Sequence, residues 1–198
     1  MKTSIEGRRA LITGAGSGIG RAVAQRLSEL GCDVVLVGRT GATLNETATL
    51  CPGATKTVTC DLADESSILA LVGYIRATGG LDILVNNAGI VQSGPLEGIS
   101  TEEFDAVMAT NVRAPFILMR ETLPLLKASP SPEIINVCSV VAHEGYPNQS
   151  AYVASKHALC GLSKSFANEV FDDGVRVHLI SPGGVLLPRY APRLWGRP

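Results

Sequence analysis

The sequence predicts an α/β fold built on a doubly wound parallel sheet. Three observations predict it. Short β-rich runs alternate with longer runs of helical period along the chain. The β-rich runs are continuously apolar, as strands covered on both faces must be. A glycine-rich turn joins the first of them to the first helix.

Ala10, Leu11, Ile12 and Thr13 make the first strand, which runs into Gly14. Residues 18–30 follow as a helix, with Ile19, Val23 and Leu27 on one face and Gly31 placed to close it. Residues 33–37 form the second strand and 43–50 a short helix that Cys51-Pro52-Gly53 breaks. The third strand covers 55–60, and a helix from Asp64 runs to about residue 78, where Gly79-Gly80 stops it. Residues 81–85 form the fourth strand. Residues 101–127 read as one long helical stretch with Pro115 as its bend. Residues 133–138 are the fifth strand, 150–171 a helix and 174–180 the sixth strand. Right-handed crossovers wind such a chain into three layers, helices on both faces of the sheet. One domain over residues 1–198 is expected, without repeats, low-complexity tracts or a linker.

Composition narrows the function. The chain is 45% hydrophobic and 18% charged, with a formal net charge of −1. Lys and Arg are scattered, so nothing argues for a nucleic-acid partner. The first ten residues carry Lys2, Glu6, Arg8 and Arg9 and lack the apolar run of a signal peptide. No segment approaches the ~20 apolar residues of a membrane span. The five cysteines form no CxxC pair. They read as buried free thiols in a reducing compartment, so a cytoplasmic location is expected. No grouping of His, Cys and carboxylates has metal-ligand spacing.

The turn from Thr13 to Gly20 carries Gly14, Gly18 and Gly20, with Gly16, Ser17 and Ile19 between them. Gly14 permits the tight turn. Gly18 lets the backbone approach a pyrophosphate, and Gly20 allows close packing of helix on strand. The helix N-terminus then offers N–H groups and a positive dipole end to phosphates. A dinucleotide site for NAD places a carboxylate at the end of the second strand. Here that strand ends in Val37-Gly38-Arg39-Thr40. Arg39 can clamp a ribose 2′-phosphate, so NADP is expected ahead of NAD. A solvated surface arginine is the other reading, and NAD stays open.

Tyr152 and Lys156 stand four apart in a predicted helix and share a face. A phenol, with its ordinary pKa near ~10, is a poor base at neutral pH. A neighbouring ammonium favours the phenolate. Tyr152 could then exchange a proton with an alcohol or carbonyl while a cofactor moves a hydride. Ser139, at the carboxyl end of the fifth strand, could hold the substrate oxygen. His143 follows in the next loop, as a solvated residue or a pocket lining.

The ordered set is specific: the glycine turn, Asn86-Asn87-Ala88-Gly89, Asn111, Ser139, Tyr152, Lys156 and Ser181-Pro182-Gly183. On these residues the chain, from Arg8 to about Val185, resembles the short-chain dehydrogenase/reductase family. The resemblance implies a Rossmann fold with strand order 3-2-1-4-5-6 and a catalytic tetrad of Asn111, Ser139, Tyr152 and Lys156. It implies that Tyr152 is the acid/base, that Ser139 orients the substrate and that Lys156 binds the nicotinamide ribose and acidifies Tyr152. It implies that Asn111 holds a water in a proton relay. Asp61, beside Leu62, matches the residue that bonds the adenine amine. Asn87, Ala88 and Gly89 match the segment lining the cofactor ribose, and Pro182, Gly183 and Val185 the segment at its nicotinamide end. Leu187 stands where the family usually has a threonine that helps bind the nicotinamide end. Family members also continue beyond residue 198 with a substrate-binding loop, a helix and a seventh strand, which are expected to be absent here. A homodimer or homotetramer is implied, acting on a small carbonyl or alcohol. A cofactor-binding protein with little turnover is the alternative, and a lyase or epimerase on the same fold stays open.

Overall fold

A computed structural model describes residues 5–184. The expected Val185, Leu187 and the rest of the tail, with the question of a seventh strand, lie outside the described residues. Six strands carry the sheet: β1 (Arg9–Thr13), β2 (Asp33–Gly38), β3 (Thr55–Thr59), β4 (Ile83–Asn86), β5 (Glu133–Val137) and β6 (Arg176–Ile180). Six helices alternate with them: α1 (Gly18–Glu29), α2 (Gly41–Thr49), α3 (Glu65–Ala77), α4 (Thr101–Met108), α5 (Ala114–Lys127) and α6 (Ser150–Glu169). The strands are parallel in the order β3-β2-β1-β4-β5-β6, as expected. The order reverses between β1 and β4, and a crevice opens at the carboxyl ends of the strands on either side of that point.

The apolar strands separate by parity into two cores. Leu11, Val35, Val37, Leu84 and Ile134 face Ile68, Leu71 and Ile75 of α3 and Ile117, Leu118 and Leu126 of α5. Ala10, Ile12, Val34, Leu36, Ile83 and Val85 face Ala24 of α1 and Leu44 of α2. Each buried Leu, Ile or Val stabilises the fold by about 1.5–3 kcal/mol relative to exposure. Burial also pushes the thiols of Cys32, Cys60 and Cys138 above their ordinary pKa, so they stay protonated and pack as apolar groups.

Local chemistry sets the helix ends. Gly31, at φ 87°, closes α1: its N–H meets Ser28 O and the Cys32 N–H meets Leu27 O, a Schellman pattern. Asp64 caps α3 by accepting from the N–H groups of Ser66 and Ser67. Ser100 and Glu103 form a capping box on α4. By contrast, the cap residues of α1 (Ser17) and α6 (Gln149) make no side-chain cap bond.

The long helix expected over 101–127 is interrupted. Ala109–Arg113 form one wider π-turn between α4 and α5. The Ala114 N–H reaches five residues back to Ala109 O. Pro115 has no N–H for the Asn111 carbonyl. Pro115 therefore lies just inside α5, and the irregularity precedes it.

The glycine turn is braced on both sides. Arg21 donates to Gly16 O at 2.6 Å and to Thr47 Oγ1 at 3.0 Å, and Thr47 donates to Ala15 O at 2.9 Å. A Cβ at Gly20 would overlap the Gly14 carbonyl oxygen and Asn87 Nδ2. Gly20→Ala is thus expected to lower stability by about 1–3 kcal/mol and to open the turn. A denaturation midpoint equal to that of the parent protein would refute this account of the packing.

Candidate active site

A cleft of 550 Å³ lies over the carboxyl ends of the central strands. It gathers nearly all of the expected residues. From the glycine turn come Gly14, Gly16, Ser17, Gly18 and Ile19; from the ends of β2 and β3 come Arg39, Asp61 and Leu62. Asn87, Ala88 and Gly89 follow β4, Ser139 follows β5, Tyr152 and Lys156 come from α6, and Pro182 and Gly183 follow β6. Gly20 and Asn111 do not line it; both sit behind the surface that does. Thr40, Thr43, Cys60, Ile90, Val91, Thr110 and Cys138, which no motif marks, also line the cleft. Their only sequence signal is position, each within a few residues of a strand end or an expected site residue.

The segment after β4 is tied to β1. Thr13 Oγ1 accepts from the N–H groups of Asn87 and Ala88, each at 3.0 Å, and Asn87 Nδ2 donates to Thr13 O at 2.9 Å. These bonds hold Ala88 against the glycine turn, where a Cβ at Gly14 would stand 2.9 Å from Ala88 Cα. Gly14 also has φ 66°, which a larger residue adopts only with strain. The N-terminus of α1 faces the cleft with its cap side chain uncommitted and no acidic residue in its first turn. These features fit the pyrophosphate of a dinucleotide. Arg39 is exposed at the far end and makes no ion pair among the described residues. It is therefore available to an anionic group on a ligand.

The second half of the cleft is built on α6. Lys156 is 4% exposed, and its ammonium donates to Val137 O at 2.9 Å. The ammonium also lies 5.7 Å from the centre of the Tyr152 ring. Burial lowers the Lys156 pKa; the only counter-influence is Cys138. A Cβ at Gly89 would meet Asn111 Oδ1 at 3.2 Å and the Lys156 ammonium at 3.6 Å, so this glycine leaves room for both. Ser139 Oγ accepts from Val141 N at 3.4 Å, which leaves its own proton to donate.

Asn111 is 0% exposed and both protons of its amide are donated. Its Oδ1 accepts from Ile90 N at 2.9 Å, and its Nδ2 donates to Ile90 O at 2.9 Å and to Ser155 Oγ at 3.0 Å. Ser155 in turn donates to Tyr152 O at 2.7 Å. Ser155 was not singled out from the sequence, although it precedes Lys156. The loops after β5 and β6 are joined as well: Val140 N donates to Pro182 O at 3.0 Å, and His143 Nε2 lies 3.2 Å from Ser181 Oγ. His143 is thus a loop tether. No group of three or more metal-ligating side chains exists among the described residues.

A model of the short chain dehydrogenase family matches residues 8–192. The chain belongs to the short-chain dehydrogenase/reductase family. Its relatives in the family include the D-beta-hydroxybutyrate dehydrogenase of Rhizobium meliloti, 36% identical over 187 residues, with 91% of this chain and 72% of that protein covered. The 3beta-hydroxysteroid dehydrogenase of Mediterraneibacter gnavus is 38% identical over 183 residues, with 90% and 66% covered. Among solved structures, a metagenomic short-chain oxidoreductase in complex with NADP superposes with a TM-score of 0.86 at 37% identity, covering 92% of this chain and 85% of that one. A short-chain dehydrogenase from Streptomyces avermitilis does so at 0.88 and 30% identity, covering 99% and 71%.

The buried lysine makes stability depend on pH. Its folded pKa lies below the free-lysine value near ~10.4. Between the two values the unfolded chain binds more protons, so stability rises with pH in that window. Lys156→Met removes this contribution. Denaturant midpoints from neutral pH to pH ~10 should climb more steeply, or fall less, in the parent protein than in the variant. Parallel curves would contradict a depressed lysine.

Proposed function

We propose that this protein is an NADP-dependent oxidoreductase that moves a hydride between the nicotinamide and a small carbonyl or secondary alcohol, with Tyr152 as acid/base. The observation that carries the reading is the meeting of Tyr152, Lys156 and Ser139 in the same cleft as the glycine turn and Arg39. Family membership makes it an oxidoreductase fold of NAD(P)-dependent type; the roles of the individual residues are our assignment.

The residues divide the work along the cleft. The N–H groups at the start of α1 and the backbone of Gly14, Gly16, Ser17, Gly18 and Ile19 hold the pyrophosphate. Arg39 pairs with the ribose 2′-phosphate, Asp61 accepts from the adenine amine, and Leu62 packs against the adenine. Asn87, Ala88 and Gly89 line the ribose, and Pro182 and Gly183 bound the nicotinamide end. When bound, the dinucleotide supplies or accepts the hydride. Ser139 donates to the substrate oxygen. Tyr152 gives that oxygen a proton in reduction and takes one in oxidation. The Lys156 ammonium beside its ring favours the phenolate. Both Asn111 Nδ2 protons are committed, so a relay water would be held on an Asn111 carbonyl oxygen; Pro115 removes the usual i+4 donor from the backbone carbonyl of Asn111.

Helices α4, α5 and α6 leave a second groove of 780 Å³ lined by Asp105, Met108, Val112, Phe116 and Leu162. Phe104 and Phe116 are exposed there or beside it. We assign this face to a homodimer or homotetramer. The five unpaired cysteines support a cytoplasmic location, and no described helix is long and apolar enough to cross a membrane.

Calorimetric titration is expected to give NADPH an affinity about tenfold or more above NADH, since a charge-assisted fork is worth roughly 1.5–3 kcal/mol. Arg39→Ala should level the two. Equal affinities in the parent protein would refute the 2′-phosphate role. Loss of NADPH absorbance with one or more ketones is expected; tight NADPH binding with no oxidation across a broad carbonyl panel would favour a non-turnover role.

A further inference from the structure

The helix that carries Tyr152 and Lys156 begins without a cap of its own. Gln149, at the cap position of α6, makes no side-chain cap bond, and the first turn holds no acidic residue. Tyr152 lies in that first turn, where unsatisfied N–H groups let a helix fray. The missing acceptor comes from another part of the chain. Gln92, 8% exposed, directs Oε1 to the Ala151 N–H at 3.3 Å, while its Nε2 donates to Gly94 O at 3.3 Å. A second bond runs alongside: Gly94 N donates to Asn148 O at 2.8 Å. Asn148 has φ 61°, the one positive value at a non-glycine among the described residues. The turn entering α6, with its left-handed residue at Asn148, is therefore tied to the segment that Gln92 belongs to. That segment is itself fixed, because Asn111 binds both the N–H and the carbonyl of Ile90.

We infer that Gln92 is a positioning residue for Tyr152: from the loop after β4, it supplies the N-terminal cap that α6 lacks and so fixes the turn that carries the phenol. Asn111, through Ser155, holds the same turn at the Tyr152 carbonyl. The two amides grip α6 from different segments, Gln92 from the loop after β4 at the Ala151 N–H and Asn111 from the π-turn a step further in. Gln92 does not line the cleft, so its part is positioning and not chemistry. The inference rests on the proposed reaction for its kinetic consequence but not for the cap itself.

Two variants test it. Gln92→Leu removes the acceptor at similar size, and Gln92→Glu keeps one. Amide hydrogen exchange at Ala151 should quicken about fivefold or more in Gln92→Leu and stay near the parent rate in Gln92→Glu. In NADPH-dependent reduction of a ketone substrate, kcat should fall about tenfold in Gln92→Leu, with the KM for NADPH within about twofold, and Gln92→Glu should recover most of it. Unchanged exchange and unchanged kcat in Gln92→Leu would overturn the inference. So would a loss of kcat that Gln92→Glu fails to restore, since that pattern marks packing and not the acceptor. If the parent protein oxidises NADPH with no carbonyl, the proposed reaction fails, and the Ala151 exchange rates alone decide whether Gln92 is the cap.

Discussion

The amide of Asn111 sits where three segments meet. It closes two hydrogen bonds on the backbone of Ile90 and a third on Ser155, with no exposure to solvent. Each of those groups, left alone in the interior, would cost about 1–3 kcal/mol. The π-turn of Ala109–Arg113 is what places the amide there. An unbroken helix over 101–127 would turn residue 111 to another angle. The loop after β4, the middle of α6 and the bend before α5 thus come into register through one side chain. The cleft between them inherits its shape from that register.

The helix ends show a division of labour. α3 and α4 carry their own caps and lie away from the chemistry. α1 and α6 do not, and both start at the cleft. The start of α1 is open to a phosphate, with its positive dipole end uncompensated by any acidic residue. The start of α6 is gripped by Gln92 at the Ala151 N–H, one residue before the phenol. On the proposed reaction the same backbone feature serves binding in one helix and positioning in the other, and the difference lies in whether a side chain from elsewhere fills the vacant acceptor site.

Much of this was legible in the sequence because it is local. The strands announce themselves as apolar runs such as Val34-Val35-Leu36-Val37, and the glycine turn needs its glycines for contacts within one strand–turn–helix unit. Tyr152 and Lys156 share a face by helical period alone. What escaped depends on contacts distant in sequence. Pro115 was visible as a disturbance, but its effect is a widened turn before it, from which Asn111 reaches Ile90. Ser155 and Gln92 matter through bonds spanning 44 and 59 positions. Neither residue has a composition or period that sets it apart. Thr43 and Thr47 brace the glycine turn from α2 for the same reason.

On the proposed reaction Tyr152 moves the proton while a separate part of the cleft holds the cofactor. The most direct test is turnover and NADPH affinity of Tyr152→Phe, measured on the same preparation against a ketone that the parent protein reduces. Turnover should fall by about a hundredfold or more, as loss of general acid–base catalysis does, with NADPH affinity changed by no more than a few-fold. Turnover within a factor of two of the parent would contradict it and remove Tyr152 from the reaction.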